Sequence, residues 1–102
     1  MPNFELSDLA DGDIAGIIIY TIGKWDADQA IRYVGFLDAH FEAIGTGEAR
    51  TKAVFGHRED LHVSRCQKHV VFHQERAGDR PLILAVFHES MELMERLKER
   101  LL

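Results

Sequence analysis

The chain has 102 residues, 46% hydrophobic and 28% charged, the make-up of an ordinary globular protein with room for one modest core. Seventeen acidic against 12 basic residues leave a formal net charge of −5, whereas a protein that grips nucleic acid unaided normally carries a basic surplus. No apolar run approaches the ~20 residues that span a bilayer. The start, MPNFELSDLADGD, lacks the basic-then-apolar layout of a signal peptide, and Cys66 has no partner for an internal disulfide, so a cytoplasmic setting is expected.

Asn3–Leu6 predicts a short strand. Ser7 and Asp8 are both good caps for a helix running to about Ile22, with Asp11 in its first turn, where a carboxylate suits the helix dipole. Leu9, Ile14, Ile17, Ile18 and Thr21 recur at helical spacing, and Gly23 reads as the C-cap. After Trp25, Asp26 caps a second helix. Ala30, Val34, Leu37, Phe41 and Ile44 form its apolar stripe, and Gly45 and Gly47 end it. So short a link predicts an antiparallel helical hairpin with an apolar face to bury.

Thr46–Asp60 reads as the longest loop, with Val54 and Phe55 its only large apolar residues. Leu61–Cys66 alternates and pairs, by expectation, with His69–Glu75. The turn Ala77-Gly78-Asp79-Arg80 leads to a third strand, Pro81–Phe87, whose unbroken apolar run LILAVF predicts burial on both faces and a central place in the sheet. Ser90 can cap a last helix with Met91, Met94, Leu97 and Leu101 on its apolar stripe. The fold expected is α+β: an N-terminal strand and an antiparallel helical hairpin packed on a mostly antiparallel sheet, with a C-terminal helix, all as one domain over 1–102.

Several side chains could carry chemistry. A tight turn at Gln67-Lys68 would oppose Cys66 to His69 and His62 to His73, placing four possible zinc ligands on one sheet face. The spacing matches no standard zinc motif, so the expectation is a polar outer face, with no metal and no cofactor. His69, His73 and His88 with Arg65 could move protons of a ribose hydroxyl, since imidazole titrates near neutrality. Against this, His88 fits a structural histidine at a strand–helix junction. Cys66 lacks any motif that would lower its pKa. The segment Arg50–Lys68 concentrates Arg50, Lys52, Arg58, Arg65 and Lys68, so one face could be basic although the whole is acidic. Trp25 is either a core anchor at the hairpin tip or, if exposed, a partner contact.

Three stretches together resemble the RelE/ParE superfamily of bacterial toxins, within it the ParE branch: W-DADQAIRYVGFLDAHF from Trp25 to Phe41, HVVF at His69–Phe72, and LILAVFHESMELMERL at Leu82–Leu97. His73 stands where Tyr is usual, Ala85 and Ser90 where Arg is common, and Glu92 where Asp is usual. The resemblance implies a toxin of a type II toxin–antitoxin system that poisons DNA gyrase and is neutralised by a ParD-like antitoxin. The RelE branch instead cleaves messenger RNA on the ribosome. That alternative would use Arg65, His69, His73 and His88, but the net charge of −5 disfavours approach to RNA. On the gyrase reading no residue is catalytic, and the chain neither enters a membrane nor binds a specific nucleic acid sequence alone. Trp25, Arg65, His69, His88, Met91, Arg96, Lys98 and Arg100 are the expected contacts to target or antitoxin. The antitoxin is expected in an apolar groove beside the helical hairpin.

Overall fold

A computed structural model describes residues 2–102. The elements run β1 (Glu5–Leu6), α1 (Asp8–Lys24), α2 (Ala27–Thr46), β2 (Lys52–Phe55), β3 (Arg58–Cys66), β4 (His69–Gln74), β5 (Leu82–His88) and α3 (Leu93–Leu101). The sheet order is β1-β5-β4-β3-β2. Only the β1–β5 pair is parallel; the others are antiparallel, so the α+β fold expected from the sequence is borne out.

The α1–α2 hairpin covers one sheet face. Leu37, Phe41 and Ile44 of α2 pack there with Ala10, Cys66, Val71, Ile83 and Val86. The other face belongs to α3, where Leu97 and Leu93 meet Val70, Phe72, Ala85 and Phe87. β5 is therefore buried on both faces, as its unbroken apolar run required, although β4 and not β5 is the middle strand.

Local chemistry sets the helix ends. Ser7 accepts the Ala10 N–H, and Asp26 accepts the Gln29 N–H at 2.8 Å. Helix α1 runs past Gly23 to Lys24, with Trp25 at its cap, because the Trp25 N–H still bonds the Thr21 carbonyl at 2.8 Å. Helix α2 likewise continues through Gly45. That glycine is needed for another reason: a Cβ there would sit 2.1 Å from the Asn3 carbonyl oxygen. Gly47 ends the helix at φ 80°.

Four further expectations are corrected. The loop expected over Thr46–Asp60 contains the edge strand β2 and the start of β3, joined by a turn at Gly56-His57. Val54 and Phe55 supply its driving force by packing against the α3-side core. Ser90 does not cap the last helix, which begins at Leu93 behind Glu92; the Ser90 side chain turns back to His88. Of the α3 stripe only Leu97 is buried, while Met91, Met94 and Leu101 stay exposed, because α3 packs mainly on the single strand β5. On α1, Leu9 is exposed and Ala10 takes the buried position.

Candidate functional site

The register sets Cys66 opposite His69 and His62 opposite His73, the pairing expected from the tight turn. The face is different from the one expected: it lies under the helical hairpin, not outward. Cys66 is buried, its Sγ 3.5 Å from the Phe36 carbonyl, and burial pushes its thiol pKa up, the opposite of an activated nucleophile. The His73 ring is fully buried, stacked on His62, with Nε2 bonded to Glu75 at 2.8 Å. His40 bonds Ser64, and His62 bonds Thr51. Among the described residues no three His, Cys, Asp or Glu side chains gather as metal ligands.

What the fold leaves open is a groove of about 1050 Å³ between α1 and α3, floored by the C-terminal half of β5 and reaching the β3–β4 turn. Along α1 it is lined by Leu9, Gly12, Asp13, Gly16, Ile17 and Tyr20, a stripe of period 3–4. Trp25 and Phe36 extend the apolar wall, and Met91 faces it from the corner after β5. Trp25 is 67% exposed and Tyr20 63%, so large aromatic surface is left uncovered.

The groove is polar where the β3–β4 turn meets the end of β5. His69 and His88 face each other across the ladder with ring centroids 5.3 Å apart. The Tyr33 hydroxyl reaches His69 Nδ1 at 2.5 Å. Burial lowers the His69 pKa, the neighbouring His88 adds to this, and Glu89 and Asp13 oppose it. The Ser90 N–H and hydroxyl both bond His88 Nδ1, the structural role read for that histidine at the junction. Arg65 is ion-paired to Glu89, whose carboxyl is held below its usual range chiefly by that bond.

The expected contact residues therefore separate. Trp25, His69, His88, Met91, Arg96 and Arg100 line the groove. Arg65 lies beside it, bound to Glu89, and Lys98 is exposed but does not line it. Arg100, expected as an exposed contact, is half-buried and ion-paired to Asp13 at 2.9 Å. The alternative catalytic set is not assembled on one surface, because His73 is sealed in the core while Arg65 and His69 lie at the other end of β3–β4. The basic segment is also partly neutralised, since Asp60 binds Arg58 through two bonds of 2.9 Å.

Tyr33, Asp13 and Lys68 were missed as site residues. Asp13 left a readable trace, a carboxylate on the apolar stripe between Leu9 and Ile17. Tyr33 left none, because its role depends on β4 arriving beneath it.

The family described as ParE toxin of type II toxin-antitoxin system, parDE, matches residues 4–93. The chain is 38% identical over 101 residues to Toxin ParE of Escherichia coli, covering 99% of this chain and 98% of that protein. It is 34% identical over 97 residues to Toxin ParE1 of Caulobacter vibrioides, covering 89% of this chain and 93% of that protein. With the strand–hairpin–sheet–helix fold, these matches bear out the resemblance carried by the Trp25–Phe41, HVVF and LILAVFHESM stretches. The chain belongs to the ParE toxin family of type II toxin–antitoxin systems.

Proposed function

We propose that this toxin, as one domain of 102 residues, arrests growth by binding DNA gyrase without catalysis, and that a ParD-like antitoxin neutralises it by laying a segment into the groove between α1 and α3. The observation that carries the groove assignment is the uncovered apolar wall of Tyr20, Trp25, Phe36 and Met91. Such a stripe suits the apolar face of a partner segment that folds as it docks. Trp25, His69, His88, Met91 and Arg96 are the contacts we assign to the groove; Arg65 and Lys98 flank it, and Arg100 serves by holding α3.

A binding mechanism fits the charge distribution. Net charge is −5, and Arg58, Arg65, Arg76, Arg80 and Arg100 are each held by a carboxylate. With an acidic surplus overall and these five of the 12 basic residues paired, the chain lacks the basic excess with which RNA is usually approached. The test is to express the chain and compare DNA supercoiling with messenger RNA integrity. Loss of gyrase-dependent supercoiling with intact messenger RNA supports this reading; RNA cut at codons with normal supercoiling overturns it.

A further inference from the structure

The polar end of the groove presents two hydrogen-bond donors with nothing in the chain to receive them. At His88, the Ser90 backbone N–H lies 3.1 Å from Nδ1 and the Ser90 hydroxyl 2.7 Å from it. A backbone N–H can only donate, so Nδ1 carries no proton and the neutral ring holds its proton on Nε2. At His69, the Tyr33 hydroxyl accepts the Lys68 N–H at 3.2 Å, and we assign its one proton to the bond with Nδ1. Burial raises the Tyr33 pKa, which keeps that proton in place. With that assignment His69, like His88, is an Nε2–H donor.

Neither Nε2 has a partner among the described residues. His73 Nδ1 is the one buried side-chain polar atom left unpartnered among them, so the Nε2 atoms of His69 and His88 are not sealed away, and both rings line the groove. The two carboxylates that act on His69 are occupied elsewhere: Arg65 holds Glu89, and Arg100 with the Val86 N–H holds Asp13. Lys68 adds a positive charge to the rim.

We propose that the Nε2–H groups of His69 and His88 together receive one carboxylate of the polypeptide that fills the groove. This rests on the reading that a partner segment docks there. A carboxylate offers two oxygens to two donors and brings a single negative charge, which Lys68 can balance. A phosphate brings more charge to a chain already at −5 and would sit against the apolar wall of Ile17, Tyr20 and Phe36. The pair is thus a polar anchor that fixes the register of an otherwise apolar segment.

The test uses the full chain with the antitoxin encoded beside it. Kd is measured for wild type and His88→Phe against the antitoxin and against versions with each Asp or Glu changed in turn to its amide. The expectation is that His88→Phe weakens binding about tenfold or more, and that one particular amide change costs the same factor with wild type and nothing further with His88→Phe. If every amide change adds independently to His88→Phe, the proposal fails while groove docking stands. Docking itself is read with Gly16→Leu, which fills the groove: unchanged affinity there removes the reading on which the proposal rests. Nitrogen-15 spectra of the imidazoles in the unaltered chain give a measurement that does not depend on a variant folding. Both rings are expected as Nε2–H tautomers whose protons exchange more slowly in the complex. An Nδ1–H tautomer at either ring, or signals moved by a short oligoribonucleotide and not by the antitoxin, overturns it.

Discussion

Arg100 of α3 grips Asp13 of α1 through two bonds of 2.9 and 3.0 Å, with each side chain only 17% exposed. The pair joins the last helix to the first across β5. It also repairs that strand: a register shift between Phe72 and His73 leaves Leu84 as an extra residue, and Asp13 accepts the Val86 N–H while Arg100 donates to the Leu84 carbonyl. Arg100 further lies over the Phe87 ring at 4.9 Å. The groove has its α3 wall because this contact exists.

Arg100→Ala should therefore destabilise the chain by about 2 kcal/mol, since it leaves the half-buried Asp13 carboxylate without its charged partner and the Leu84 carbonyl with only a 3.4 Å bond from the Ser7 hydroxyl. Urea unfolding would show this as a lower midpoint with an unchanged slope. Antitoxin binding should weaken in parallel. An unchanged midpoint would mean that α3 is held by Leu93 and Leu97 alone.

Gly45→Ala tests the packing of the N-terminal segment on α2. Its Cβ would fall 2.1 Å from Asn3 O and 2.7 Å from Asn3 C, both backbone atoms that cannot swing aside. A cost of about 1–3 kcal/mol is expected, in contrast to the small gain that Gly→Ala gives in an open helix interior. The control is Gly35→Ala, in the same helix with open space around it, which should be neutral or stabilising.

Acid should weaken the fold through its buried histidines before it reaches the carboxylates. Burial pushes the pKa of His73 down, with Glu75 opposing, and burial likewise lowers His40 and His69. An unfolded histidine takes up its proton near pH 6.5, whereas these resist it in the fold. The unfolded state then binds more protons, so the stability is fully present above about pH 6.5 and is lost as pH falls below it. Asp60, held far below the usual carboxylate range by Arg58 and Gln74, contributes a separate loss only below about pH 4. Thermal melts from pH 8 to pH 5 should show the first fall, and His73→Leu should flatten part of it.

Trp25 is exposed at the joint of α1 and α2, with the Lys24 ammonium 5.9 Å from its ring. Trp25→Ala should change stability by no more than about 0.5 kcal/mol, yet weaken antitoxin binding tenfold or more, as aromatic anchors of interfaces do. Because Trp25 is the one tryptophan of the chain, quenching or a blue shift of its fluorescence on complex formation reads the same contact directly.

Much of this architecture is written in local patterns. The stripe from Ala30 to Ile44, the caps at Ser7 and Asp26, and the LILAVF run each name an element because one spacing or one hydrogen bond decides it. The tight turn at Gln67-Lys68 was enough to set the histidine register, but not which face it would occupy, since Ser64 and Cys66 look polar and prove to lie under α2. β2 is not legible because KAVF is four residues long and gains its strand character only by pairing with β3 and packing Val54 and Phe55 against the α3-side core. The groove was least legible. It is made by residues far apart in sequence, Asp13 with Arg100 and Tyr33 with His69, and no local signal joins them.

Binding and catalysis are separated by a supercoiling assay with purified DNA gyrase, relaxed plasmid and this toxin, alone and with its antitoxin. The toxin should inhibit supercoiling, the antitoxin should restore it, and RNA incubated with the toxin and ribosomes should stay intact. Unimpaired supercoiling together with codon-dependent RNA cleavage would contradict a binding mechanism.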